Sequence, residues 1–163
     1  MSVVKPEKIL EIGTAIGYSS LVFSQYLKEG GKIITVELDS DTANIARKNF
    51  EKAGNKSIKL IVGDGGDVLI NTNEKFDVIF LDANKSLYLH SLPDIKRILK
   101  KGGVLIADNV LYKGMVASHE LETFRKKTLV KNLRDFLCEI SNDGCFTTSI
   151  LPLGDGISVS YYK

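Results

Sequence analysis

The chain has 163 residues, of which 44% are hydrophobic and 26% are charged, and its formal net charge is +2. That length fits one domain whose core is large enough to fold without disulfides or metal ions. The nearly balanced charge does not point to a polyanionic partner. No apolar run approaches the ~20 residues that cross a bilayer, so we expect no membrane association. Cys138 and Cys145 lack metal-ligand spacing, which favours a reduced, cytoplasmic location.

Short apolar runs alternate with longer amphipathic runs along the chain. The pattern predicts strands at 8–13, 32–38, 58–64, 75–83 and 102–110, and two closing strands at 145–153 and 156–163. It predicts helices at 18–31, 39–54, 67–71, 87–100 and 121–142. Strands that alternate with helices form parallel sheets, and the Gly-Asp-Gly turn at 154–156 is typical of a hairpin. We therefore expect an α/β fold, a doubly wound, Rossmann-like, mostly parallel seven-stranded sheet with a C-terminal antiparallel hairpin strand.

The turn after the first strand, "EIGTAIGYSS" (11–20), stands at a carboxyl strand end, where doubly wound sheets bind their ligands. Its glycines allow a ligand to approach the backbone closely. They lie at 13 and 17 with none at 15, so the dinucleotide-binding fingerprint is missing, which argues against a nicotinamide dehydrogenase. Glu11 would repel a pyrophosphate but suits a cationic group, such as the ammonium of an amino acid.

Glu37 ends the second strand, where an acid can accept hydrogen bonds from both hydroxyls of a ribose. It can equally begin the acidic cap of the next helix, and its position alone does not separate the two roles. Glu11 and Glu37 together favour a ligand with a ribose and an amino-acid tail but no phosphate, a description that S-adenosylmethionine fits. Leu38 is then expected against the adenine, with Asp64 and Gly65 at its edge.

Three oxygen-bearing side chains stand at the ends of the fourth and fifth strands: Asp82, Asp108 and Asn109. Carboxylate and amide oxygens without histidine or thiolate select Mg²⁺ or another hard divalent cation, such as Mn²⁺ or Ca²⁺. Alternatively, Asp108 and Asn109 cap a strand end and Asp82 is an isolated acid. The coincidence of three such residues at adjoining strand ends favours the metal site.

These stretches resemble the metal-dependent O-methyltransferases of the catechol and caffeoyl-CoA type, which are class I methyltransferases. The resemblance runs from "ILEIGTAIGYSS" through "IITVELDSDTANIARKNFEKAG", "LIVGDG", "FDVIFLDANKSLY" and "GGVLIADNVLYKG" to "LPLGDGISVS", nearly the whole chain. It implies that residues 1–163 form a single S-adenosylmethionine-dependent methyltransferase domain. The positions that it assigns to cofactor contact are Glu11, Gly13, Thr14, Ser19, Glu37, Gly65 and Asp82.

The resemblance also assigns a metal site and a catalytic residue. The implied metal ligands are Asp82, Asp108 and Asn109, and Lys85 matches the catalytic lysine of the family. Chelation would stabilise the oxyanion of a phenol, and Lys85 would either accept the phenol proton or hold the oxyanion electrostatically. Without the resemblance, Lys85 would be interpreted as a solvated lysine at the start of a helix.

The sequence departs from the family pattern at both ends of the domain. Family members usually carry helices before the "LEIG" strand, which close over the ligands and often help to form a homodimer. The residues before Lys8 are too few to form these helices, as expected either of a natural short form or of a fragment of a longer chain, and in both cases we expect acceptor binding to differ more than the metal site. In the closing hairpin, Ser158 stands where the catechol enzymes have a glutamate that binds the second acceptor hydroxyl, and Asp155 is a nearby substitute.

Three functions remain open at this point. The leading hypothesis is O-methylation of a small aromatic acceptor with vicinal hydroxyls. The second is methylation of hydroxyuridine in transfer RNA, for which the basic residues of the last helix would contact the nucleic acid: Arg125, Lys126, Lys127, Lys131 and Arg134. The third is a cofactor-binding protein with little activity.

Overall fold

The computed structural model describes residues 5–121 and 123–163, and within them the chain folds into an α/β domain. The strands are β1 (Lys8–Ile12), β2 (Lys32–Glu37), β3 (Ile58–Val62), β4 (Phe76–Leu81), β5 (Leu99–Asp108), β6 (Phe146–Leu151) and β7 (Ile157–Tyr162). The α-helices are α1 (Tyr18–Ser24), α2 (Ser40–Lys52), α3 (Gly65–Asn71), α4 (Ser86–His90), α5 (Leu92–Ile98) and α6 (Lys127–Asn142). Two 3-10 turns, His119–Leu121 and Phe124–Lys126, precede α6.

The seven strands form one sheet in the order β3-β2-β1-β4-β5-β7-β6. Strands β1 to β5 pair in parallel, and β7 runs antiparallel to both of its neighbours. The predicted fold class is therefore confirmed, including the antiparallel C-terminal strand. The strand order reverses between β1 and β4, which is the switch point where doubly wound sheets bind ligands.

The apolar core is distributed unequally over the two faces of the sheet. The larger cluster packs the sheet against α4, α5 and α6, and includes Leu81, Tyr88, Ala107 and Phe136. The smaller cluster contains Ile9, Ile33 and Val78, with half-buried neighbours that include Phe23. Leu81 and Ala107, next to the carboxyl ends of β4 and β5, thus belong to the larger of the two clusters.

Three predicted helices differ from the observed ones by several residues, and the first, predicted at 18–31, ends as α1 at Ser24. The helix predicted at 87–100 is divided into α4 and α5, because Pro93 lies in the first turn of α5 and has no N–H to continue the bonding of α4. The residues after it join β5, which begins at Leu99. The helix predicted from 121 begins at Lys127, and residues 124–126 form a 3-10 turn.

No described helix combines the length and the apolar composition that a membrane span requires. Cys138 and Cys145 are both free and exposed. The structure therefore offers no disulfide between these two residues.

Phe136 ties α6 to the sheet, since its side chain is 0% exposed and its ring meets that of Tyr88 edge-on at a centroid distance of 5.5 Å. We expect Phe136→Ala to lower the free energy of unfolding by about 3–5 kcal/mol, because the truncation removes buried apolar area and leaves a cavity. The matched control is Phe124→Ala, at a side chain that is 87% exposed, which should change stability by no more than about 0.5 kcal/mol. Urea denaturation measures both, and equal effects would contradict the assignment of the core.

Candidate functional site

A cavity of about 490 Å³ opens at the switch point of the sheet. Its walls come from the carboxyl ends of β1 to β4 and from the start of α4, and its size is typical of small-molecule sites. Six residues predicted to bind the cofactor line it: Gly13, Glu37, Leu38, Asp64, Gly65 and Asp82. The sequence therefore identified six of the fourteen residues that line the cavity, and their contact with a bound cofactor stays a prediction.

Gly13 brings the ends of three strands together at the floor of the cavity. Its φ is +105°, and a Cβ built on it would lie 2.0 Å from the backbone oxygen of Asp82. Its N–H donates to the carbonyl of Val36, while the N–H of Asp82 donates to the carbonyl of Ile12. The glycine is thus required by the close approach of two backbones as well as by its left-handed conformation.

Three of the predicted cofactor residues, Glu11, Thr14 and Ser19, lie outside the cavity lining. The Glu11 carboxylate is 0% exposed and accepts hydrogen bonds from the hydroxyls of Ser19, Ser20 and Thr35. Thr14 shares a 2.6 Å hydrogen bond with Thr35 in the same buried network. These residues form a hydrogen-bonded network behind the turn between β1 and α1, outside the cavity lining. Their predicted contacts with the cofactor stay predictions.

Burial raises the pKa of the Glu11 carboxyl, and the nearby Asp82 adds to that rise, while the three hydroxyl donors oppose it. Burial is the largest of these effects. Glu11 is thus a carboxyl whose charged form is disfavoured by its surroundings and stabilised only by hydroxyl groups.

Glu37 lines the cavity at the end of β2. Its two carboxylate oxygens accept the N–H of Ala15 at 2.8 Å and the N–H of Asp39 at 3.0 Å. The side-chain cap of α2 is Asp39, which accepts the N–H of Thr42 at 2.7 Å. The capping role that the sequence left open for Glu37 therefore belongs to Asp39. Leu38, 70% exposed beside Glu37, forms an apolar wall of the cavity.

Asp82 and Asp108 come together because β4 and β5 pair in parallel with Leu81 opposite Ala107. Each acid is the next residue on its strand, so the two stand on adjoining strand ends. Asn109 follows in a left-handed conformation, φ +55°, which asparagine tolerates better than most residues, and its N–H donates to Asp108 Oδ1. The structure thus places Asp82 beside the consecutive residues Asp108 and Asn109 at two adjoining strand ends.

This set contains two carboxylates and one amide oxygen. In the part of the chain that the structure describes, no group of three or more His, Cys, Asp or Glu side chains is arranged to hold a metal ion. The predicted set is not of that class, because its third ligand is an amide. Metal binding at Asp82, Asp108 and Asn109 stays a prediction.

The Lys85 ammonium lies beside this acidic cluster. Its Nζ is 3.3 Å from Asp82 Oδ1 and donates to the Tyr88 hydroxyl at 2.7 Å. Burial lowers the pKa of Lys85, while the charges of Asp82, Asp108 and Asp155 oppose that decrease. The alternative of a solvated lysine is wrong, since Lys85 is only 9% exposed.

The closing hairpin contains the two residues considered for the acceptor site, Asp155 and Ser158, and their contact with an acceptor stays a prediction. Asp155 accepts the N–H of Lys113, and its charge acts on Lys85. Ser158 is 1% exposed on β7, and its hydroxyl has no hydrogen-bond partner among the described residues. Its burial directs it towards the core of the domain.

Sequence reasoning missed the part of the cavity that follows β4. The additional lining residues include Ala83, Asn84, Ser86, Leu87 and His90. The side chain of Asn84 accepts hydrogen bonds from the N–H and the hydroxyl of Ser86, the first residue of α4. These residues follow Asp82 at the end of a strand, and that position was the sequence signal that could have identified them as part of the cavity.

Comparison with known proteins agrees with this geometry. The family model described as "O-methyltransferase" matches residues 1–162. The chain is 36% identical over 167 residues to a catechol O-methyltransferase of Niastella koreensis, covering 96% of this chain and 74% of the relative. It is 32% identical over 169 residues to a caffeoyl-CoA O-methyltransferase of Stellaria longipes, covering 97% and 69%.

Solved structures show the same relationship. An O-methyltransferase from Bacillus cereus in complex with SAH superposes with a TM-score of 0.88 at 28% identity, covering 99% of this chain and 76% of that one. A methyltransferase of Podospora anserina with SAH bound gives a TM-score of 0.86 at 28% identity, covering 98% and 73%.

The doubly wound sheet, which here has a cavity at its switch point, is the architecture of the solved methyltransferases that superpose on this chain. The chain belongs to the O-methyltransferase family. It is an S-adenosylmethionine-dependent O-methyltransferase, as the resemblance implied.

The raised pKa of Glu11 predicts how stability depends on pH. The folded state holds the Glu11 proton to a higher pH than the unfolded state, so Glu11 loses its favourable contribution as the pH rises through the folded pKa. We expect the difference in unfolding free energy, wild type minus Glu11→Gln, to fall between about pH 4 and about pH 8. Urea denaturation at both values measures it, and a difference that rises with pH would contradict the burial argument.

Proposed function

We propose that the protein is a divalent-metal-dependent O-methyltransferase that acts on a small aromatic acceptor with vicinal hydroxyls. The observation that carries the proposal is the position of Lys85, 3.3 Å from Asp82 and within the field of Asp108 and Asp155. A buried lysine, whose neutral amine can accept a proton, is suited to proton removal from a bound hydroxyl when it stands at the edge of a cavity of cofactor size.

The donor set fits a hard cation. Asp82, Asp108 and Asn109 would hold it, since carboxylate and amide oxygens are the ligands that Mg²⁺ and related ions prefer. Bound there, a divalent cation would lower the pKa of a coordinated phenol hydroxyl, and S-adenosylmethionine in the neighbouring cavity would supply the methyl group. Vicinal hydroxyls suit such a site because two adjacent oxygens can chelate one ion.

Lys85 is the residue that we assign to proton transfer. Burial lowers the pKa of its ammonium, so its neutral form is more accessible than that of a solvated lysine. The neutral amine would take the proton of the phenol oxygen that accepts the methyl group, and the resulting ammonium would be balanced by Asp82 and Asp108. The proton lost by the acceptor thus moves to Lys85 Nζ.

The names of the relatives support an aromatic diol as the acceptor. Those quoted above are a catechol O-methyltransferase and a caffeoyl-CoA O-methyltransferase. Catechol is therefore the simplest probe of activity.

The hypothesis of a transfer-RNA acceptor finds less support in the structure. Arg134 donates to the carbonyls of Met115 and Val116, and Lys131 pairs with Asp135. Two of the five basic residues that were predicted to contact a nucleic acid therefore have partners within the protein.

Replacement of one proposed ligand tests the metal. We expect Asp108→Asn, which keeps the side-chain shape, to lower Mg²⁺-dependent methylation of catechol by at least about 100-fold, since even partners that orient metal ligands are worth about 10- to 100-fold. The dissociation constant of S-adenosylmethionine should stay within about twofold, because Asp108 does not line the cavity. Methyl transfer assays with and without EDTA, together with calorimetry, measure both.

The matched control is Asp135→Asn, an exposed acid paired with Lys131 on α6, which should methylate like the wild type. Normal metal-dependent turnover by Asp108→Asn would remove the metal from the mechanism. A wild type that binds S-adenosylmethionine tightly but methylates no aromatic diol would favour a cofactor-binding protein with little activity.

Replacement of Glu37 tests the cofactor-binding part of the site. We expect Glu37→Ala to weaken S-adenosylmethionine binding by about 1.5–3 kcal/mol, the usual value of hydrogen bonds to a charged acceptor. Asp39→Ala is the control, because it removes the cap of α2 and should cost about 1 kcal/mol of stability while leaving cofactor affinity unchanged. Calorimetry that gives both variants the same cofactor affinity would contradict a ribose contact by Glu37.

A further inference from the structure

Tyr88 is a buried polar residue next to the proposed reaction site. It lies on α4, three residues after Lys85, and its side chain is 0% exposed. Its ring packs edge-on against Phe136 of α6, with an interplanar angle of 68°. A phenylalanine would fill the same volume, so the hydroxyl needs a separate explanation.

The Tyr88 hydroxyl makes three contacts that link separate parts of the site. It donates to the carbonyl of Leu81 at 2.7 Å and to that of Asp108 at 3.1 Å, sharing its single proton between them. It accepts the N–H of Lys85 at 2.7 Å. One buried hydroxyl therefore joins the end of β4, the end of β5 and the lysine.

The contacts of the Tyr88 hydroxyl lie just beyond the last backbone pair of β4 and β5. The pairing of β4 with β5 ends at Leu81 and Ala107, one residue before the two acids Asp82 and Asp108. The bridge through Tyr88 fixes the carbonyls of Leu81 and Asp108 relative to each other beyond that point. The spacing of the two acids thus depends on a side chain from α4 as well as on the sheet.

The same hydroxyl gives Lys85 a partner that does not depend on the charge state of the acids. Among the described residues, the Lys85 ammonium has two hydrogen-bond partners, Tyr88 at 2.7 Å and Asp82 at 3.3 Å. The longer contact is to a carboxylate that the proposed function assigns to a divalent cation. The shorter one is to a neutral group committed to two carbonyls, which keeps its position when Asp82 is otherwise engaged.

We propose that Tyr88 is a positioning residue whose buried hydroxyl holds the Lys85 ammonium at the reaction site and fixes the adjoining ends of β4 and β5. As a role in catalysis, this inference rests on the proposed function. As a statement about where Lys85 is held, it can be tested without turnover.

The first test compares Tyr88→Phe with Tyr26→Phe, a control at a half-exposed tyrosine outside the site. We expect kcat for catechol methylation to fall by at least about tenfold in Tyr88→Phe, because small misplacements of a reacting group cost up to about 100-fold. The dissociation constant of S-adenosylmethionine and the far-UV circular dichroism should match the wild type. Turnover by Tyr88→Phe within about twofold of the wild type would overturn the proposal.

A double-mutant cycle separates positioning of Lys85 from a general structural effect. If Tyr88 acts through Lys85, then Tyr88→Phe lowers kcat by a larger factor in the wild type than in the Lys85→Met background, where only its effect on the strand ends remains. Equal losses in both backgrounds would show that the hydroxyl supports the fold rather than the lysine, and would overturn the proposal.

Two measurements need no catalysis. Labelling with acetic anhydride, followed by mass spectrometry, should modify Lys85 faster in Tyr88→Phe than in the wild type or Tyr26→Phe, with the other lysines as internal standards. In the wild-type protein, the Lys85 Nζ lies 4.8 Å from the centre of the Tyr88 ring, so NMR should show a nuclear Overhauser effect between the Lys85 Hε protons and that ring.

Unchanged labelling of Lys85 in a folded Tyr88→Phe variant would overturn the proposal. The absence of the nuclear Overhauser effect would overturn it as well, and this measurement uses the wild type only, so it decides even if Tyr88→Phe fails to fold. Failure of the wild type to methylate any diol would instead overturn the proposed function, while labelling and NMR still decide where Lys85 is held.

Discussion

The parallel pairing of β4 with β5 is the constraint on which the rest of the site depends. Because Leu81 lies opposite Ala107, the next residue on each strand is an acid, and the strands are only about 4.8 Å apart. Two carboxylates at that spacing repel each other unless a cation lies between or beside them. Lys85 supplies positive charge from the start of α4, which begins directly after β4. The packing of Tyr88 on Phe136 then connects this charged cluster to the apolar core.

The cofactor end of the sheet uses a carboxylate in a different way. Glu11 is buried and surrounded by hydroxyl donors, whereas Glu37 stands at the wall of the cavity and accepts two backbone N–H groups. Glu11 thereby holds the turn in which Gly13 approaches Asp82, and Glu37 holds the same turn through Ala15. The two acids that the sequence assigned to one ligand are therefore also the two that shape the backbone around it.

Local patterns predicted the elements well and their boundaries less well. Alternating apolar runs located all seven strands because buried parallel strands are continuously hydrophobic. They extended one helix across 87–100, although Pro93 interrupts the hydrogen bonding and Leu99 already pairs with Phe76. They also began the last helix at 121 instead of at Lys127, because helical periodicity does not distinguish a 3-10 turn from a first helical turn.

The sequence by itself determined the strand ends, and therefore which acids and glycines gather at the ligand-binding edge, because parallel strands place all their carboxyl ends on one edge of a sheet. It favoured the class of cofactor through the absence of a glycine at 15 and the acids at 11 and 37. Only the tertiary structure decided which side chains are buried and which partners they have. In it, Glu11 lies buried beneath the turn, and Asp39 rather than Glu37 caps α2. The Tyr88 hydroxyl lies between two strand ends. Burial and hydrogen-bond partners arise from residues distant in the chain, so no local pattern contains them.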